Sequence, residues 1–122
     1  MVKKENILKY VSEQYDTRPE YLFLKHPDIA VLRNTRTNKW YAVIMNVEKR
    51  KLGINEDGYM NVINLKGNPE FNSIIRSQKH IIAAYHMNKK HWVTVLLDYD
   101  FPQSELYEMI DWSYQLTSKK KK

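Results

Sequence analysis

Two imidazoles, His86 and His91, flank the turn-forming stretch Met87-Asn88-Lys89-Lys90, and a tight turn there would let them face one another. With an acid such as Asp98 to complete it, the pair would form a metal site. Zinc needs three or four ligands, and the chain offers neither Cys nor an H-E-x-x-H helix. Two turn-flanking imidazoles that hydrogen-bond locally therefore remain the alternative. The same segment, with Asn88 and Trp92, also has the residue types of a small-ligand site. Asp98 and Asp100 bracket a strand end; paired carboxylates can do acid–base work, and acids there also serve as solvated caps. His26 and His80 have no motif around them.

Phosphate-handling and hydrolytic motifs are missing. Gly53, Gly58 and Gly67 are isolated, so neither G-x-x-x-x-G-K-[ST] nor G-x-G-x-x-G occurs, and no serine lies in G-x-S-x-G. No catalytic residue, resident metal, cofactor or nucleotide is expected on this reading. The basic residues offer more. Lys49, Arg50 and Lys51 follow one predicted hairpin strand, Arg36 lies near the tip of a hairpin, and Lys89, Lys90 and His91 mark another turn. Cations on turns at strand ends can straddle a phosphate backbone while side chains between them, here Tyr85, Asn88 and Trp92, reach groove edges. Turns are also wet, which by itself draws Lys and Arg to them, and Trp92 equally suits a core.

The elements that would position these residues are readable from periodicity. Ile7, Leu8, Val11 and Tyr15 form the stripe of an amphipathic helix, with Asn6 as its expected N-cap and Pro19 beyond its end. Tyr21–Leu24 is a short apolar stretch before Pro27. Ile29–Arg33 and Lys39–Met45 read as paired strands around the turn material of 34–38. The second is apolar on both faces, as a central strand should be. Asp57-Gly58 leads into a strand over Tyr59–Leu65, and Asn68-Pro69 opens a short helix that buries Phe71, Ile74 and Ile75. His80–His86 and Val93–Leu97 read as further strands. Pro102 opens a last helix with Leu106, Met109, Ile110 and Ser113 inward and Tyr107 and Tyr114 beside them. Adjacent strands with helices gathered on them make an α+β arrangement around an antiparallel sheet.

With 122 residues and no Cys, the chain fits a single domain over 1–118 that needs no disulfides. The net charge of +6 misleads until it is divided. Lys119–Lys122 supply four of those charges and are expected to form a disordered tail. Residues 25–92 carry twelve basic and five acidic side chains, whereas 93–118 carry five acids (Asp98, Asp100, Glu105, Glu108, Asp111) and no Lys or Arg. A fold that sets these regions on opposite sides would be strongly polarised. The basic start lacks the apolar run of a secretory signal, and no stretch approaches the ~20 apolar residues of a membrane span. A cytoplasmic location is expected, without a membrane.

From Tyr85 to Trp92 the chain reads Y-H-M-N-K-K-H-W, and this segment closely resembles the bacterial MmcQ/YjbR family. Tyr85, His86, Met87, Asn88, Lys89, His91 and Trp92 carry the resemblance. Val31-Leu32-Arg33, Lys39-Trp40-Tyr41-Ala42, Lys51-Leu52-Gly53 and Asn64–Pro69 resemble the family's earlier blocks. Leu96-Leu97-Asp98 and Ser113–Leu116 resemble the later ones, so the likeness spans roughly 15–117. Gly67 departs from it, since relatives often carry Cys or another residue there. The resemblance implies an α+β fold with a curved antiparallel sheet and helices packed on one face, likened to double-wing DNA-binding domains and to secretion chaperones. It also implies a DNA-binding, non-enzymatic role. On that footing Lys49, Arg50, Lys51, Lys89 and Lys90 are expected at phosphates, with Arg36 and Asn88 near groove edges. A protein-interaction module, its partner lying on the open sheet face or the acidic last helix, is the rival reading.

Overall fold

The computed structural model describes residues 1–76 and 78–119. Its elements run α1 (Lys4–Tyr15), β1 (Ala30–Asn34), β2 (Lys39–Glu48), a 3-10 turn (Lys49–Leu52), β3 (Tyr59–Lys66), α2 (Pro69–Ile75), β4 (Ile81–Ala83), β5 (Trp92–Leu96) and α3 (Gln103–Thr117). The strands form one open antiparallel sheet in the order β1-β2-β3-β5-β4. The expected α+β architecture is therefore present. Of the predicted lysine tail, Lys120–Lys122 lie outside the described residues.

Each strand divides its side chains by alternation between two apolar layers. Leu32, Ala42, Ile44, Ile63, Leu65, Val93 and Val95 face a core closed by Ile7 and Val11 of α1 and Leu106 and Ile110 of α3. Val31, Val43, Met45, Val47, Met60, Val62 and Leu96 face the other way and are covered by Trp40, Leu52, Ile54, Tyr85 and Tyr99 rather than by a helix. Both faces of β2 are thus dry, which accounts for its continuous apolar sequence. Edge β1 is protected by Glu20, whose backbone exchanges hydrogen bonds with Val31 in both directions (2.9 Å each).

Three local expectations shift. The N-cap of α1 is Lys3, not Asn6; Asn6 sits within the first turn and accepts the Lys3 amide on its Oδ1 at 3.0 Å. The helix ends at Asp16, held in the left-handed region at φ 53°. The strand read over His80–His86 shrinks to Ile81–Ala83: His80 and His86 both leave the extended region for positive φ (69° and 57°), although the His80 carbonyl still accepts the Leu96 amide at 2.9 Å. Phe71, expected inward, is instead 62% exposed. Asn68 and Pro102 behave as read: Asn68 Oδ1 accepts the Glu70 amide at 3.0 Å, and α3 starts directly after Pro102.

Candidate functional site

The Tyr85–Trp92 segment is the loop joining β4 to β5 with the first residue of β5, and several of its polar groups fix its own geometry. Asn88 Oδ1 accepts the amides of Lys90 (2.9 Å) and His91 (3.2 Å), while its carbonyl accepts that of Trp92 at 3.0 Å. This is an Asx turn running straight into β5. Lys89 Nζ donates to the Ala84 carbonyl (3.0 Å), clamping the loop's other end. Thr94 Oγ1 accepts the Tyr85 amide and donates to buried Asn64, whose Nδ2 donates to the Tyr85 carbonyl at 2.9 Å. Trp92 is buried at 9% exposure, so it is core and not a groove contact. Asn88 acts first as a turn former; its acceptor faces the protein's own amides.

The metal reading does not survive the topology. His91 precedes β5 and Asp98 follows it, so an extended strand of more than about 20 Å separates them. Asp98 instead accepts the amide of Asn61 (2.9 Å) and its Nδ2 (3.3 Å). Among the described residues no group of three or more His, Asp or Glu side chains could hold a metal ion.

The cations do not converge as the three-turn footprint requires. In an antiparallel sheet, successive turns alternate between the two ends. Arg36 lies in the β1–β2 turn at the start of β2, and Lys49, Arg50 and Lys51 lie just past its end. The ten residues of β2 put these groups roughly 30 Å apart. Lys49 and Arg50 are moreover paired, with Glu56 (3.3 Å) and Asp57 (3.0 Å). Lys66 of β3 pairs with Trp92 of β5, and Leu65 with Ala42 of β2, so the β4–β5 loop shares its end of the sheet with Arg36. The C-terminus of α3 docks there too. Thr37 Oγ1 donates to the Thr117 carbonyl (2.7 Å), Asn34 Nδ2 donates to Ser118 Oγ (2.9 Å), and Lys39 Nζ donates to the Lys119 carbonyl (2.8 Å). Arg36, Lys39, Lys66, Lys89, Lys90 and Lys119 therefore gather at one end, whereas at the other Lys49, Arg50 and Lys51 stand among the acids Glu56, Asp57, Asp98 and Asp100.

Two further groupings were hidden in the sequence. Asp111, which the sequence offered only as one of the five acids of 93–118, accepts both Tyr10 Oη contacts at 2.8 Å and the hydroxyl of Tyr15, clamping α1 to α3. The rings stack alongside, Tyr10 on Tyr107 (3.9 Å) and Tyr15 on Tyr114 (3.8 Å). Burial, reinforced by Asp111, pushes the Tyr10 phenol up to about 12 and drives that of Tyr15 well above its ordinary range. Burial likewise raises Tyr41 to about 12.

The second grouping is a cleft of about 490 Å³ between α2 and α3, floored by Leu65, Val93 and Ile81. Trp112 and Phe71 stand on its two walls, 53% and 62% exposed. Asn72, only 1% exposed, donates from Nδ2 to the carbonyls of Lys90 (3.0 Å) and Gly67 (3.3 Å), tying α2 to the β4–β5 loop. Its Oδ1 has no hydrogen-bond partner. A Cβ on Gly67 would stand 2.3 Å from that oxygen, so a side chain there has to displace the Asn72 amide. The only sequence signal for this cleft was the spacing of Glu105, Glu108, Met109 and Trp112, which marks one face of a helix.

The fold and the loop define a class: a small open-sheet α+β protein whose most distinctive segment is a rigid β4–β5 turn. The chain belongs to the YjbR family, whose sequence model matches residues 12–116. It is 41% identical to YyaQ of Bacillus subtilis over 117 residues, covering 96% of this chain and 99% of that protein. It is 35% identical to YjbR of Escherichia coli over 80 residues, 64% of this chain and 68% of the relative. Among solved structures, a Pseudomonas syringae protein superposes with a TM-score of 0.92 at 40% identity, over 95% of this chain and 99% of that one. A Deinococcus radiodurans protein with a DUF419 domain gives 0.68 at 27% identity, over 95% and 78%. No helix among the described residues is long and apolar enough to cross a membrane.

Proposed function

We propose that the chain is a non-catalytic nucleic-acid-binding module that grips the phosphate backbone with one end of its sheet. The observation that carries this reading is the gathering of three separate elements at that end: the β1–β2 turn, the β4–β5 loop and the C-terminus of α3, each bearing cations. In the strand order β1-β2-β3-β5-β4 the centres of the two turns lie three strand spacings apart, about 14 Å. That is close to the ~12 Å width of a B-DNA major groove, so two basic wings can reach phosphates on either side of it. Arg36 and Lys39 supply one wing, Lys89 and Lys90 the other, and Lys119 extends the surface. Lys49, Arg50 and Lys51 drop out of the footprint, being at the far end.

The test is fluorescence anisotropy with a labelled duplex and the matching single strand across a salt series. About four phosphate contacts give a log–log salt slope near −4, a loss of roughly 10²-fold in affinity between 50 and 200 mM salt. Arg36→Glu/Lys90→Glu is expected to weaken binding at least tenfold and flatten the slope by about 2. Lys49→Glu/Lys51→Glu changes net charge equally and is expected to leave binding near wild type. Salt-independent affinity, or equal damage from both pairs, refutes the proposal.

A further inference from the structure

Apart from the basic end, the strongest unassigned feature is the cleft between α2 and α3, and we infer that it binds a small aromatic amine carrying a hydrogen-bond donor opposite its ammonium group. Its volume of about 490 Å³ lies within the range of small-molecule sites, and its floor of Leu65, Val93 and Ile81 is apolar. Trp112 and Phe71 face solvent from opposite walls, so burying a ring between them removes apolar area from water and satisfies their preference for offset or edge contacts.

Polarity along the cleft sets the orientation. Glu105 and Glu108 line it towards the start of α3, whereas Lys66 and Gly67 line the other end. The backbone amide of Lys66 donates to Ser113, which places that end beside Trp112. From Glu105 to Trp112 the helix rises about 10 Å. An ammonium is therefore drawn to the carboxylates at the start of α3, and a carboxylate is repelled from that end. At the far end lies Asn72, whose Nδ2 is fixed by the Gly67 and Lys90 carbonyls and whose Oδ1 is an unsatisfied acceptor. Buried polar atoms are rarely left so, and a donor on the ligand would satisfy this one as the Gly67 wall of the cleft yields to admit it. Charge at the start of α3, ring and donor together favour an aromatic amine over an aliphatic occupant, and the anionic analogue tests whether Lys66 at the other end outweighs the glutamates.

Tyramine carries all three features, and it is the probe of choice. Two-dimensional 15N NMR titration of the full chain compares it with phenethylamine, which lacks the hydroxyl, and with 3-(4-hydroxyphenyl)propanoate, which reverses the charge. The expected result is saturable shifts at residues of α2 and α3, with tyramine binding at least tenfold tighter than the propanoate and severalfold tighter than phenethylamine. Glu105→Gln/Glu108→Gln should erase the first preference, and Asn72→Ala the second. Should Asn72→Ala fail to fold, the phenethylamine comparison on the wild-type chain still decides the donor's role. No saturable shifts with tyramine, equal binding of the propanoate, or shifts confined to the basic end overturn the inference. A leucine- and lysine-rich helical peptide binding tenfold tighter than tyramine overturns it in favour of a partner helix.

Discussion

Replacing Asp111 with alanine isolates the contact that joins the first and last helices. The carboxylate accepts from Tyr10 and Tyr15, both part-buried, and the stacked pairs Tyr10–Tyr107 and Tyr15–Tyr114 keep the phenols in place when the acceptor is gone. The hydroxyls are then left facing a gap they cannot close. A hydrogen bond to a charged group contributes about 1.5–3 kcal/mol, and these two share one acceptor and are partly reached by solvent. A total near 3 kcal/mol follows, at the low end for two bonds. For a domain of this size that corresponds to a fall of about 10–15 °C in Tm. Asp111→Asn keeps one acceptor oxygen and should lose about half as much. Urea and thermal unfolding followed by circular dichroism at pH 7 measure both variants. A loss below 1 kcal/mol for Asp111→Ala would show that α1 is held by Ile7 and Val11 packing alone and that the clamp is incidental.

The same phenols predict alkaline lability. Tyr10 and Tyr41 titrate at about 12 against an ordinary 10.0, so the folded state favours their neutral forms. Stability is fully present below pH 10 and is lost as pH climbs through 12, and Asp111→Asn should flatten that fall without abolishing it, since burial is the largest cause of the rise at both phenols. Gly67→Ala drives a methyl into Asn72 Oδ1 and should cost about 1–3 kcal/mol; in an Asn72→Ala background the penalty should vanish, giving a coupling energy of similar size in a denaturation cycle. Ser113 Oγ donates to the Tyr41 carbonyl and accepts the Lys66 amide at 2.9 Å where β2 and β3 meet α3. Ser113→Ala should therefore destabilise by about 1–3 kcal/mol, measured by urea unfolding, whereas Ser→Ala at exposed Ser104 should change nothing.

Much of the fold was legible because the sequence patterns were unambiguous. β2 declared itself by being apolar on both faces, and Asn68-Pro69 and Pro102 marked helix starts by their own chemistry. The shortened β4 was not legible, since nothing local announces that His80 and His86 take positive φ; on the His86 side the loop is held by hydrogen bonds to Asn64, Thr94 and Ala84. The role of Asp111 was not legible because its partners lie 96 and 101 residues away. The splitting of the cations was within reach. A meander turns at alternate ends, so Arg36 and Lys49–Lys51, separated by a single strand, could never have shared a surface. Placing Lys89 and Lys90 beside Arg36 needed the strand order, which the crossover through α2 decides and local pattern does not.

That distinction bears on how this chain's Y-H-M-N-K-K-H-W segment works. A segment so specific in residue type invites a recognition role, yet its hydrogen bonds point inward, and the two roles predict different responses to one substitution. If Asn88 shapes the wing, removing its side chain leaves the Lys90 and His91 amides without their acceptor and loosens the entry to β5. Asn88→Ala should then cost about 1 kcal/mol, the worth of a typical turn-forming hydrogen-bond set at an exposed site, while Asn88→Asp, which preserves the acceptor, should stay within about 0.5 kcal/mol of wild type. A groove-reading amide would do the reverse: its loss would leave unfolding untouched and be felt only in binding. The Asx geometry favours the first outcome. It makes the cations of the β4–β5 wing effective because the backbone beneath them is rigid, so that Lys90 is held out to solvent without first losing the conformational entropy of a mobile loop.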